Sequence, residues 1–505
     1  MELDFDAIVI GSGAGGASFA HACAQAGKSV LVIERGRRTA AVLESYPGGP
    51  HDERATLLDK RPYDDRIVYV NEAPARLYMG GVVGGSTSVY GALMLRPAPC
   101  DFEPGAQYGD RLDRALWQWP FSYDDLRPHY DRAEQLFKLT WHRGEQENDG
   151  YDPLHPPGDQ LFGSVLPLAP INQKLIAANQ RAGLKPFQLP LAIDTGKCEL
   201  CDACAGFLCP HDARRSSAHV LDETAGPVRL MDNAEVDRLE TNRDGSVDAV
   251  VVRDRNNQQT HRFRAQRYAL AAGAIGSTAL MLKSGIDGPN VGRNYMLHYS
   301  PLAVGFFPAA TGADETFIKQ VGFADYYLGT PRCMAKMGIV QSLPAPGPLM
   351  MAKSGLKKVP KRVLLKLRKR MLPMVGIVED LPDPANRVTL RSDGSIGLEH
   401  RYSKFDRVRG RALTRAMRAI LRRGGAWHVA TKAMPSQEHV AHQCGTLRSG
   451  TDPKQAVTDP DCRVYGRENL FVVDGSVLPN SMGVGPSLTI AANALRVAAV
   501  AVQEM

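Results

Sequence analysis

No basic leader with an apolar centre precedes the first strand-like run, Met-Glu-Leu-Asp-Phe-Asp-Ala-Ile-Val-Ile, so a secretory signal is not expected. No uninterrupted apolar stretch approaches membrane-spanning length. Together these absences predict a cytoplasmic protein. The nine cysteines are an odd number, which argues against a disulfide framework. Acids are missing from 353–370, which carries nine Lys or Arg; removing those nine from the net charge of +7 leaves the rest of the chain at −2. The basicity is therefore local. Aromatic residues do not interleave with those charges, which discounts nucleic acid. Leu364, Leu365 and Leu367 do interleave with them. Three readings stay open for this segment: a peripheral membrane contact, a docking surface for an acidic redox partner, or a solvated insertion.

What is present is an ordinary globular composition, 44% hydrophobic and 23% charged over 505 residues, enough for two or three domain-sized units. Near the N-terminus a buried-strand pattern (6–10) leads into Gly11-Ser-Gly13-Ala-Gly-Gly16 and an apolar helix to about Ala26. A second strand (27–33) then ends at Glu34, 18 residues after Gly16. This is the order of a dinucleotide-binding βαβ unit. Gly11 permits the tight turn, Gly13 lets the backbone approach a pyrophosphate, and Gly16 lets the helix lie against the strand. The helix N-terminus offers free amides to the phosphates, and Glu34 stands where a carboxylate accepts ribose hydroxyls. The motif does not separate FAD from NAD. No second such unit follows, which implies one dinucleotide. A second glycine-dense loop, 80–91, contains Gly84, Gly85 and Ser86 and argues for backbone passing close to a ligand. The small-residue strand end 269–272 before Gly273-Ala-Ile-Gly repeats the strand–turn–helix pattern.

The C-terminal part carries His442-Gln-Cys-Gly-Thr, then Asn-Leu-Phe-Val-Val-Asp474-Gly-Ser, then Pro486-Ser487 opening a helix. A neutral imidazole near its ordinary pKa suits removal of a hydroxyl proton as hydride leaves. The cysteines concentrate at Cys198, Cys201, Cys204 and Cys209, the last followed by Pro. Their gaps are close to those of a bacterial ferredoxin run, and the two-residue gaps also suit zinc. An iron–sulfur cluster, another metal, and disulfides or free thiols all remain open there.

Seven ordered blocks, the N-terminal fingerprint, 80–91, 119–126, 273–285, 291–298, 386–390 and the C-terminal section, make the chain resemble the glucose–methanol–choline (GMC) oxidoreductases over nearly its full length. The resemblance implies an α/β fold: a discontinuous Rossmann-like FAD-binding domain plus an α+β substrate domain on an antiparallel sheet. The implied division is 1–300 (with a cysteine-rich insertion at 195–215), a substrate cap 301–440, and 441–505 completing the FAD domain. It implies FAD contacts from Gly11, Gly13, Gly16, Glu34, Gly84, Gly85, Ser86, Val236, Asp474, Pro486 and Ser487, and His442 as the catalytic base. Cys444 is expected either to face the flavin or to fill the core. His298 is expected to pack or touch the flavin, and His428 and His439 to be incidental. The family places a second His or Asn where this chain has Gly485, so either His442 acts alone or another residue of 301–435 assists. The expected function is oxidation of an alcohol or sugar CH–OH, with electrons passing to oxygen, a quinone-like acceptor or a protein. A flavoprotein that has lost alcohol oxidation, or relays electrons only, is the alternative that Gly485 suggests.

Overall fold

The computed structural model describes residues 3–140, 165–201, 204–316, 318–433 and 438–505. The run Ala7-Ile8-Val9-Ile10 is almost wholly excluded from solvent. Such an unbroken apolar run suits a strand covered on both faces. It is the centre of a parallel sheet in the order Leu470–Val472, Ala265–Leu270, Phe5–Ile10, Val30–Ile33, Val228–Met231. The strands therefore come from both ends of the chain. An antiparallel meander, Ala234–Thr241, Val247–Asp254 and Thr260–Phe263, fills the connection between Met231 and Ala265. Helices Ala14–Gln25 and Ser487–Gln503 pack against each other beside this sheet. Helix Tyr123–Leu136 packs on the latter, started by a reciprocal cap between Ser122 and Asp125.

The second body is a six-stranded antiparallel sheet ordered His428–Lys432, Leu302–Phe306, Met371–Gly376, Val340–Ser342, Val321–Phe323, Pro186–Gln188. Five strands lie within 301–440, and the sixth comes from the preceding segment. Helix Lys404–Arg423, capped by Ser403 and Asp406, covers one face. Its Leu413, Met417, Ile420 and Leu421 share a core with Leu372 and Met374. Because side chains alternate along a strand, Met371, Pro373 and Val375 point the other way. That opposite face looks into a cavity of about 1200 Å³ which reaches the parallel sheet. A third sheet pairs Ile67–Val70 with Ile396–Glu399 and so ties the two bodies together. The architecture is mixed α/β, a parallel sheet facing a separate antiparallel one.

Candidate active site

The cavity begins at the phosphate cradle. Helix Ala14–Gln25 starts from Gly13 with no side-chain cap and no acid in its first turn, leaving its amides to an anion. Space is open where a side chain at Gly13 would stand, whereas one at Gly16 would lie 2.0 Å from the Gly11 carbonyl oxygen. Gly16 thus serves helix–strand contact and does not line the cavity, whereas Gly11 and Gly13 do. The second glycine loop lies on the first: a Cβ at Gly85 would come within 3.2 Å of Gly13 Cα. Gly85 and Ser86 line the cavity, while Gly84 sits behind it, donating its amide to Ser12 Oγ at 2.8 Å. Ser12 Oγ in turn donates to Glu34 at 2.6 Å, and the Ser12 and Gly36 amides donate to the same carboxylate at 3.0 and 2.7 Å. Glu34 is therefore held rigidly at the cavity wall, with burial raising its proton affinity. Val236 lines the wall nearby.

At the other end, helix Ser487–Gln503 starts at Pro486 without a side-chain cap or a first-turn acid, and Gly485, Pro486 and Ser487 face the cavity. Asp474 is also at the wall, but four protein donors claim its carboxylate. They are the Gly273 amide (2.9 Å), Ser277 Oγ (2.5 Å), the Ser476 amide (2.9 Å) and Ser476 Oγ (2.5 Å). It locks the start of helix Gly273–Lys283 to the turn 475–477. The open cradle, two uncapped helix starts and a buried carboxylate at the end of the second strand fit FAD. Gly11, Gly13, Glu34, Gly85, Ser86, Pro486 and Ser487 would hold it.

His442 and His298 meet between these ends, Nδ1 to Nδ1, at 2.8 Å. His298 Nε2 lies 2.9 Å from the Met482 carbonyl oxygen. Burial pushes the His298 proton affinity down to about 4, so its ring is neutral near pH 7. A carbonyl only accepts, so the single ring proton is on Nε2 and His298 Nδ1 is bare. His442 Nδ1 must then be the donor between the two rings. His442 is itself held neutral, first by burial and then by the nearby His298 and Lys319. Its Nε2 is consequently an unprotonated lone pair, and the ring faces the cavity. A Cβ at position 485 would stand 3.2 Å from that atom. Glycine there keeps that nitrogen uncovered.

His442 and Met482 both adopt left-handed backbone, φ +64° and +61°. Such residues carry on the order of 1–3 kcal/mol of strain each. Under the 480–485 loop lies a buried charged cluster. Lys336 pairs with Asp101 and, at 2.6 Å, with Glu379, all fully buried. Tyr327 donates to Asp101 at 2.5 Å and accepts the Gly483 amide at 3.1 Å, and Asn480 donates to the Asp101 carbonyl at 2.8 Å.

Lys319 was not legible in the sequence, which has no motif near it. Its ammonium faces the cavity, bonded to Gln341 at 2.9 Å with no ion pair among the described residues, and burial lowers its pKa to about 8. His439 also lines the cavity, stacked 4.5 Å from Tyr78. His428 is exposed on the edge strand and away from the cavity. Cys444 is fully buried in the main core and does not reach the cavity wall, which leaves the role of core filler. Cys198, Cys204 and Cys209 are free thiols, and Cys198, Cys201 and Cys209 are close enough to Cys204 to act on its charge. Among the described residues, one trio of metal-capable donors lies mutually within 4.8 Å, His51, Cys201 and His211. The four cysteines do not form such a mutually close set.

Two regions of the chain, residues 5–300 and 382–494, match the N- and C-terminal parts of the GMC oxidoreductase family. The chain is 30% identical to 6'''-hydroxyparomomycin C oxidase of Streptomyces lividus, over 97% of this chain and 90% of that one. It is 26% identical to the fructose dehydrogenase large subunit of Gluconobacter japonicus, over 98% and 97%. Among solved structures its fold is shared with pyridoxine 4-oxidase from Mesorbium loti, at TM-score 0.69 and 19% identity over 98% of each chain. With the cradle, the paired imidazoles and these full-length likenesses in hand, the chain belongs to the GMC oxidoreductase family.

Proposed function

We propose that this enzyme oxidises a CH–OH group, with His442 Nε2 as the acceptor of the hydroxyl proton. The observation that carries this is the fixed tautomer: Met482 sets the His298 proton, His298 sets that of His442, and a bare nitrogen is left facing the cavity beside Gly485. When bound, FAD supplies the hydride acceptor. The chain's own residues place the hydroxyl and remove its proton. Lys319 stands close enough to His442 for its charge to act on that ring, and its ammonium supports negative charge developing on the substrate oxygen. Low proton affinity at His442 makes it a weak base at rest, so proton uptake is coupled to the hydride's departure rather than preceding it. The relatives that act on a hydroxyparomomycin and on fructose support a CH–OH donor. Gly485, which suggested a lost activity, reads instead as the clearance that exposes the base.

The test is anaerobic mixing of the FAD-loaded protein with a panel of alcohols, following the yellow flavin band. The variant His442→Ala should retain FAD while bleaching falls by about 10²–10⁴-fold, the usual contribution of a positioned base. Bleaching at the wild-type rate would remove His442 from this role.

A further inference from the structure

We propose that the chamber before His442 takes a lipophilic alcohol, and that the chain draws it from an anionic membrane surface on which the 353–370 segment docks. This rests on His442 as the base. Along strand Leu302–Phe306, every second side chain (Leu302, Val304, Phe306) faces the cavity. Their antiparallel partners are Val375, Pro373 and Met371, which face it too. No charged group interrupts this pair of rows. From Ser300 to Phe306 the trough runs about 20 Å at strand rise. Met350 and Met351 wall it from another side, and such side chains adapt to flexible apolar ligands. Beside these two rows the polar groups at the His442 end are His298, Ser300 and Lys319, while Thr431 and Lys432 of the edge strand, with Glu438 and His439, also line the cavity. A hydroxyl therefore belongs at one end and an apolar body along the rest. A sugar lying along these two rows would have to bury the hydroxyls turned toward them against side chains that cannot bond them.

The mouth points to the source. The cavity reaches exposed residues Lys353, Ser354 and Leu356 on one side and Ala430, Thr431 and Lys432 on the other. From the first of these rims the chain continues into helix Lys361–Arg368, on which Leu364 is buried while Val363 and Leu365 are each 40% exposed. That helix leads directly into Met371, which registers with Phe306, and Phe306 registers with His428. Trp427, 65% exposed, thus stands at the same end of the sheet as Arg368–Arg370. Nine bases without an acid, exposed aliphatic groups on a short helix and a solvent-facing Trp form the chemistry of an anionic bilayer interface. The apolar side chains enter the headgroup region, and the mouth opens beside them.

The experiment uses the full FAD-loaded chain with vesicles of phosphatidylcholine, with and without phosphatidylglycerol, and with a series of linear primary alcohols. Binding should require phosphatidylglycerol and weaken with salt. Bleaching efficiency, kcat/KM, should rise by about fourfold for each added methylene until the trough is full. The triple variant Lys361→Glu, Arg362→Glu, Lys366→Glu should lose about a hundredfold in vesicle affinity. It should bleach with a short soluble alcohol as the unaltered chain does. Replacing Leu356, Val363 and Leu365 by Ser should weaken binding while preserving its salt dependence. Efficiency that is flat with chain length while free sugars bleach faster would overturn the lipophilic chamber and leave His442's role intact. Vesicle binding unchanged by the charge reversal, with electron transfer to an acidic c-type cytochrome lost instead, would assign the segment to a protein and overturn the membrane. Absence of bleaching with every CH–OH compound would defeat the base assignment, and this proposal with it.

Discussion

At the parallel sheet the cavity is lined mostly by glycines and small residues of the turns that follow its strands, and on the two adjoining strands Leu302–Phe306 and Met371–Gly376 of the antiparallel sheet by Leu, Val, Phe, Met and Pro. The first surface brings backbone to a ligand, so its amides do the recognising and every side-chain atom is in the way. The second offers apolar area, where shape can drift by a methylene with modest effect. A dinucleotide has one fixed structure, whereas the bodies of alcohols vary, and the two surfaces differ accordingly. The difference is sharpest at Gly16. Gly16→Ala places a methyl 2.0 Å from the Gly11 carbonyl oxygen and 3.0 Å from Ala271 Cβ, both on structure that cannot yield separately. This substitution should give protein without bound FAD, read from the absorbance ratio of the purified chain. Retention of stoichiometric flavin would show that the helix can retreat from the strand.

That contrast also explains what the sequence revealed. The cradle was legible because each step of it is local: strand, turn, helix and strand follow within thirty-odd residues, and glycine identity is dictated by backbone contact. His442 was singled out by its Gly-Thr turn, and it lines the cavity. The role of His298 was not, because it depends on a Met482 carbonyl 184 residues away holding one proton in place. Lys319 was invisible for a similar reason, since a lysine in the sequence looks solvated until the fold buries it against Gln341. Pro186–Gln188 joining the antiparallel sheet was likewise unreadable, because a three-residue edge strand has no periodicity to display. Cys444, two residues after His442, is buried in the main core and does not line the cavity.

The cluster beneath the 480–485 loop belongs to neither surface but fixes their relation. Lys336→Met keeps side-chain volume while leaving Asp101 and Glu379 buried without their cation. Removal of one partner from a buried pair typically destabilises by about 3–5 kcal/mol. Thermal unfolding should move down accordingly, and bleaching in the surviving folded fraction should slow, because Tyr327 and Asn480 both brace that loop through Asp101. An unchanged melting point would mean that water enters the cluster.

Gly485→Ala is a subtler probe of the boundary between the surfaces. Its methyl would stand 3.2 Å from His442 Nε2 and 3.4 Å from Cε1, a contact the ring relieves only by turning. The variant should keep FAD and lower kcat about tenfold by displacing the lone pair from the line of the hydroxyl. KM should change less than kcat, since the apolar trough is untouched. An effect on KM alone would mean that position 485 bounds the substrate's body rather than the base.

The smallest expected effect is with pH, and its sign follows from the neutral pair. Burial lowers the His298 proton affinity from 6.5 to about 4, and lowers that of His442 as well. The bleaching rate should therefore stay level as pH falls from 7 to about 5, where an exposed imidazole base would already have lost most of its activity. It should decline only as pH nears 4, when protonation of His298 Nδ1 removes the acceptor that orients His442. Over the same interval the unfolded chain takes up the proton from about 6.5 downward while the folded chain resists it until about 4. Folding stability is hence complete above pH 6.5 with respect to His298, and falls progressively below it. A rate that halves near 6.5 in the wild type, with melting temperature constant across that range, would mean that water reaches the imidazole pair freely and that the cavity is not dry at its catalytic end.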